Sequence, residues 1–219
     1  MNSLKIDFVS DVSCPWCAIG LSSLEQALQR LQGEVQAQLH FEPFELNPDM
    51  VPGGQDITEH LTGKYGTTAE QQEASRDAIR ERGAAVGFEF RKEGRSRVYN
   101  TFNAHRLLHW AGLESAERQR ALKKALLKAY FTDGRSPEEL EVLADAAAQA
   151  GLDRGRAMAI LQSDEYTGEV RARERFYQQQ GIQAVPSVIV NDRHLIQGGQ
   201  PPEVFEQALR QIAAQAQPA

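Results

Sequence analysis

Two cysteines three residues apart stand where one hydrophobic period gives way to another, and that junction limits the folds open to this chain. Leu4, Ile6 and Phe8 alternate with Lys5, Asp7 and Val9, a period of two that predicts a strand from Leu4 to Val9. Apolar residues then recur at helical spacing from Ala18 to Leu31. Asp11-Val12-Ser13 joins the two, with Ser13 expected as the helix N-cap. Cys14-Pro15-Trp16-Cys17 therefore opens a helix. Unpaired backbone N–H groups and the helix macrodipole favour negative charge there, so the Cys14 thiol is expected below its ordinary pKa of about 8.5. Pro15 has no N–H to leave unpaired in the first turn, and its φ is already helical. Cys17 lies on the same helix face, within reach of a disulfide to Cys14. The pair reads as an exposed low-pKa attacker, Cys14, with a resolving thiol, Cys17, behind it.

Two other uses of the motif fit less well. Structural zinc needs four protein ligands. The chain has no further cysteine, and among its histidines (His40, His60, His105, His109, His194) only His105 and His109 have ligand spacing. They lie roughly 90 residues from the motif, far beyond usual zinc-site spacing. A purely structural disulfide across so short a loop would restrict the unfolded chain little. No metal site is expected.

The formal net charge of −6 argues against a general nucleic-acid or anionic-membrane binder. No apolar run approaches the ~20 residues of a membrane span. The stretch Met1 to Asp7 has neither a basic segment nor a continuous apolar one. With both cysteines in one motif, the chain reads as cytoplasmic, from a reducing compartment.

Further along, the first helix is expected to end near Gly33, and Val35 to Phe44 alternates as a second strand. The unit is β-α-β, with parallel strands and a right-handed crossover. Residues 45–54 form a breaker-rich loop. From about Asp56 to Gly181 the pattern is almost entirely helical. Thr67 with Glu70 reads as a capping box before a charged helix over Ala69 to Val86. Further helices are expected over Tyr99 to Ala111 and Glu117 to Phe131. Another starts with Ser136, Pro137 and Glu139 as N-cap, N1 and N3, and a last one runs from Ser163 or Asp164 to about Gln180. Val185 to Val190 and His194 to Gln197 then form a hairpin about Asn191-Asp192, and a helix follows from Pro201 or Pro202. The expected fold class is α/β: β-α-β plus β-β-α around a large all-helical insertion. The expected domains are 1–50 with 182–216, and 56–181 inserted between them. The tail from Gln215 to Ala219 is expected to fray.

Cys14-Pro15-Trp16-Cys17 at one end and Val185-Pro186-Ser187 at the other make this assembly resemble the thioredoxin fold of the DsbA superfamily. Phe44 to Pro48, Tyr99 to Leu107 and Ala129 to Gly134 resemble its cytosolic FrnE-like branch. The resemblance reaches, more distantly, kappa-class glutathione transferases and 2-hydroxychromene-2-carboxylate isomerases, which generally carry serine at the first active-site position. An ordinary strand-opening proline is trans. The resemblance instead implies a cis Pro186 facing the cysteines, with the N–H and C=O of Val185 free for an extended substrate.

The implied activity is that of a protein dithiol–disulfide oxidoreductase or isomerase, with no bound cofactor and with glutathione as a co-substrate. Its partner is a disulfide- or thiol-containing protein or small molecule; no nucleic acid and no membrane is implied. Trp16 is read as an apolar lip beside Cys14 or as packing against the insertion. Asn47, Asn100 and His105 are candidates for the substrate cleft, although His105 and His109 also read as core histidines and Asn47-Pro48 as a turn. Asp11 is a modulator of the thiol or a solvated loop acid, and the helix from Glu70 to Arg82 a solvated face. The alternative function is a glutathione-dependent transferase or isomerase of a small hydrophobic molecule, with the insertion as its pocket.

Overall fold

The structure is a computed structural model and describes residues 2–215. The expected frayed tail beyond Gln215, and residue 216 of the expected first domain, lie outside the described residues.

The central strand is β1 (Asn2–Ser10). It pairs in parallel with β2 (Val35–Pro43), reached through α1 (Pro15–Arg30), with Phe8 opposite Phe41. On its other side it pairs antiparallel with β5 (Ser187–Val190), which pairs antiparallel with β6 (His194–Gln197), giving the order β2-β1-β5-β6. The hairpin turns at Asn191 and Asp192, both at positive φ (53° and 55°), where these two residue types are tolerated.

Both faces of β1 are covered. Leu4, Ile6 and Phe8 pack with Leu21 and Leu24 of α1 and with Phe205 and Leu209 of α9 (Pro202–Gln215). Val9 points the other way, against Tyr177 of α8 (Thr167–Gln179) and Ile182. That is why an apolar Val9 occupies a position where a half-buried strand would carry a polar residue.

The segment between β2 and β5 is not all helical. A two-stranded ribbon, β3 (Gln55–Asp56) with β4 (Arg97–Val98), brackets α2 (Ile57–Tyr65) and α3 (Ala69–Ala85). Two-residue strands leave no alternating pattern to read. After β4 come α4 (Phe102–Glu114), α5 (Ala116–Phe131), α6 (Leu140–Gln149) and α7 (Arg154–Leu161).

Several helix starts differ from the sequence reading, each for a local reason. The capping box before α3 is Thr68 with Gln71, one residue later than the overlapping Thr67 and Glu70 signature. The Asn100 side chain accepts from Phe102 N (2.9 Å), so α4 starts there rather than at Tyr99. Ser136 Oγ accepts from Glu138 N (3.2 Å) in a turn, and α6 begins only after Glu139. Tyr166, at a φ of 64°, holds back the start of α8 from Ser163 or Asp164.

β2 is an edge strand, and α5 covers that edge. The buried Gln119 carboxamide accepts from Phe41 N and donates to Phe41 O, both at 3.0 Å, and also donates to Leu108 O of α4 at 3.1 Å. A single side chain thus satisfies backbone groups that would otherwise lie buried and unpaired. Replacing it (Gln119→Ala) is expected to destabilise the protein by roughly 2–4 kcal/mol, since two buried backbone groups lose their partner. Urea denaturation measures this, and a loss within experimental error would remove Gln119 from that role.

Candidate active site

α1 begins where the sequence reading puts it, but its cap differs. Cys14 itself is the N-cap residue (φ −93°, ψ 114°) and makes no side-chain capping bond. Ser13 is not the cap. Its Oγ donates to Asp11 Oδ2 (2.9 Å) and its N–H to Asp11 Oδ1 (3.1 Å). Asp11 also accepts from Leu46 N (2.8 Å), and its Oδ1 lies 3.5 Å from His105 Nε2 of α4. Asp11 is fully buried and is no solvated loop acid. Burial opposes its ionisation, but His105 and the two backbone donors outweigh that and hold the carboxyl well below the ordinary range.

Cys14 and Cys17 are both free thiols, and both are buried. The expected exposed attacker is only 4% exposed, because it packs in the apolar cluster with Phe131 and, against it, Leu46 and Phe90. Cys17 lies fully beneath it. Hydrogen bonds from the Cys17 side chain and backbone, with the charge of Arg95, lower the Cys14 pKa against burial and the Asp11 charge. Burial and the neighbouring Cys14 raise the Cys17 pKa. The two thiols are thus set apart as a readily ionised sulfur and a protonated one.

The Val185–Pro186 peptide is cis. Cys14 Sγ donates to Val185 O at 3.6 Å, so in the reduced protein the carbonyl expected to serve a substrate is held by the thiol. The close approach of α1 to this peptide needs Gly20, since a Cβ there would lie 3.0 Å from Pro186 Cγ.

Cys14, Pro15, Trp16 and Val185 line one cavity of about 520 Å³. Its far wall is α3, so the charged helix read as a solvated face presents Ile79 and Arg76 to the cysteines' side of the molecule. Trp16 is half-buried in this wall, with the Arg82 guanidinium 5.7 Å from its ring centre. Asn47 and Asn100 do not line it. Asn47 accepts from Lys64 Nζ (2.7 Å), and Asn100 is spent on the start of α4 and on Pro48 O (3.4 Å). His105 sits behind Asp11 and opens instead on a separate cavity of about 170 Å³ shared with His109. Among the described residues, no three His, Cys, Asp or Glu side chains converge as metal ligands.

The residue that sequence reasoning missed is Lys123. It is fully buried, and its Nζ has no hydrogen-bond partner among the described residues. On α5 it stands one turn from Gln119, which holds β2, and one turn from Leu127, which packs in the cluster containing both cysteines. Burial lowers its pKa, while Cys17, Asp11 and Cys14 act to raise it. The signal was a lysine in register with inward-facing residues; an apolar-stripe reading assigns such a lysine to solvent. Arg95, from the loop before β4, donates to Ser13 O (2.5 Å) and lies over the Phe131 ring at 5.7 Å.

Next to Leu46, Glu45 is buried with Glu174, and both pair with Arg171 of α8. One oxygen of each carboxylate is without a hydrogen-bond partner among the described residues. Burial raises the Glu45 pKa to about 7, against His105 and Arg171 and with the help of Glu174.

The fold and the site together define a thioredoxin-fold protein with a paired-cysteine helix start, a facing cis-proline and a mainly helical insertion. The chain belongs to the family of DSBA-like thioredoxin domains, which matches residues 5–210. It is 35% identical to a probable DsbA oxidoreductase from Streptomyces coelicolor, with a TM-score of 0.88 over 99% of this chain and 92% of that one. A 2-hydroxychromene-2-carboxylate isomerase shares the fold at 15% identity (TM-score 0.72; 96% and 97% covered). So does the cytosolic disulfide reductase DsbM of Pseudomonas aeruginosa, solved with GSH, at 17% identity (TM-score 0.64; 96% and 99% covered).

Removing the buried amine (Lys123→Met) is expected to raise the Cys17 pKa further, as followed by thiolate absorbance. It should leave stability unchanged or raise it by roughly 1–3 kcal/mol, since an unpaired polar group leaves the core. An unmoved Cys17 titration would separate Lys123 from the thiols.

Glu45 gives a second expectation. Its folded pKa stands above the unfolded value of 4.5, so its contribution is fully present below about pH 4.5 and is lost as pH rises to about 7. Thermal unfolding should therefore show stability falling across that window, and Glu45→Gln should flatten the slope. An identical slope in both proteins would contradict the assignment.

Proposed function

We propose that the protein is a cytosolic, FrnE-like thiol–disulfide oxidoreductase of the reductase or isomerase type, working through Cys14 and Cys17. The observation that carries this reading is the division of labour between the two free thiols. One is lowered and one raised in pKa, and both stand at the helix start beside the cis Val185–Pro186 peptide. The Cys14 thiolate attacks one sulfur of a disulfide, a mixed disulfide forms, and the first substrate sulfur leaves as a thiolate. Cys17 then gives up its proton and attacks Cys14 sulfur. The second substrate sulfur leaves, and Cys14–Cys17 forms. Two electrons pass to the substrate, whose thiolates take up the protons. Glutathione, as a co-substrate, would return the dithiol by the same exchange in reverse.

Trp16 and Val185 border the entry to Cys14, and Pro15 fixes the first turn of its helix. Asp11 and His105 act as positioning residues behind the thiol, not as substrate contacts. The partner is a thiol- or disulfide-bearing protein or small molecule. We assign residues 1–50 and 182–216 to a thioredoxin-like domain and 56–181 to the inserted one.

A second reading is a glutathione-dependent transferase or isomerase acting on a small hydrophobic molecule. It is favoured by one observation, a cavity of small-molecule size with apolar lining between Cys14 and α3. Reduction of insulin and of small disulfides, with and without glutathione, distinguishes the two. The Cys14→Ser variant is expected to fall to the uncatalysed background, and Cys17→Ser to accumulate mixed disulfide visible by mass. Full turnover by Cys14→Ser, or conjugation without net thiol exchange, would overturn the first reading.

A further inference from the structure

Acidic residues outnumber basic ones 30 to 24 in this chain, yet the wall of the cavity at Cys14 reverses that balance. Arg76 and Arg80 of α3 and Arg91, Lys92 and Arg95 of the loop before β4 all line it, and among the described residues no carboxylate does. Two of these five cations are offset from outside: Arg80 pairs with Asp77 (2.9 Å) and Arg91 with Glu93 (3.5 Å). Arg95 is occupied at Ser13 O. Arg76 and Lys92 are exposed and have no ion pair among the described residues. Asp11 lies beneath Cys14, outside the wall, with His105 against it. The rim therefore keeps a net positive field in a chain whose overall charge is −6. Low-dielectric walls focus such a field onto whatever enters.

The floor is of the opposite character. Trp16, Leu46, Leu61, Ile79, Phe90 and Phe131 line it, and Phe90 and Phe131 stack edge-on at 5.3 Å. At about 520 Å³ the cavity is of small-molecule size. Cys14 is 4% exposed at its base, so a slender molecule reaches the sulfur more readily than a disulfide held on a folded protein surface.

We infer that this cavity selects a small anionic disulfide or thiol with an apolar body, its acidic groups held by Arg76 and Lys92 at the rim and its sulfur delivered to Cys14. The inference rests on the thiol–disulfide reading above and narrows it. The exchange is the one already written: the Cys14 thiolate bonds one substrate sulfur and the other leaves as a thiolate. What the rim adds is preference among disulfides by charge.

The test is a single-turnover comparison of the reduced protein with three probes: dithiobis(nitrobenzoate), an aromatic dianion; hydroxyethyl disulfide, which is neutral; and cystamine, a dication. Rates are read as ratios to the neutral probe, in the full chain and in a double charge reversal, Arg76→Glu with Lys92→Glu. The ratio for the dianion should fall about tenfold or more in the double variant, and the ratio for the dication should rise. High salt should shrink both changes. Both residues are exposed and unpaired, so the variant is expected to keep its fold, checked by its unfolding midpoint. Ratios unchanged by the reversal, or a dication preferred by the unaltered protein, would overturn the inference while leaving disulfide exchange standing. Failure of all three probes to react would instead overturn the exchange reading, and the inference with it.

Discussion

Everything at this site depends on one buried sulfur ionising more readily than its buried neighbour. Burial alone would raise both thiols, because a low-dielectric surrounding disfavours either thiolate. The asymmetry comes from direction. Cys14 ends at the start of α1 and receives donors from Cys17 and charge from Arg95, while Cys17 lies one turn in and receives the Cys14 charge. In the exchange proposed above, the same geometry would set the order of events: the sulfur that ionises more readily meets the substrate, and the other acts only after a mixed disulfide has removed the charge beside it.

The parts of this arrangement that were legible in the sequence are the local ones. A period-two run followed by a helical one placed Cys14 at a helix start, and Pro15 fixed the first turn. Asn191-Asp192 marked a hairpin because these residues tolerate positive φ, which both adopt. Where two local signals overlapped, the pattern could not choose between them. Thr67 with Glu70 and Thr68 with Gln71 spell the same capping box one residue apart, and the second is the one formed. The parts that were not legible depend on chain segments distant in sequence. Cys14 looked exposed because nothing near it predicts that Leu46 and Phe131 would cover it. Asp11 looked solvated because its partners, Leu46 N and His105, come from other elements. Asn47 and Asn100 looked like cleft residues but are consumed by Lys64 and by the start of α4.

Lys123 shows the limit of stripe counting most plainly. A lysine between Gln119 and Leu127 on an amphipathic helix is normally read as a snorkelling side chain. Here the amine is enclosed, and the negative groups acting on it are Cys17, Asp11 and Cys14. An unpaired buried amine is destabilising, so the fold tolerates it against its own stability. Asp11 is a standing negative charge acting on it, and ionisation of Cys17, which resolution of a mixed disulfide would need in the proposed exchange, adds another.

This bears on what the segment between β2 and β5 contributes. Leu127, Tyr130 and Phe131 of α5 share one apolar cluster with both cysteines and the sheet, while Val12, next to Asp11, packs in the cluster of α4 to α7. The two clusters interlock at the active-site loop, so the helices cannot shift without moving Asp11 or Cys14. Arg95, Lys123, His105 and the α3 wall all come from this segment; the charge of Arg95 acts on Cys14, that of Lys123 on Cys17, and His105 acts on Asp11. A minimal β-α-β plus β-β-α unit would hold the cysteines and the cis-proline but would lack the α3 and loop walls beside Cys14 and the buried Lys123 amine that acts on Cys17. The helices therefore do more than cap the site. They set its dielectric, its charge and the width of its entrance, the three quantities that would decide which disulfide reacts in the proposed exchange.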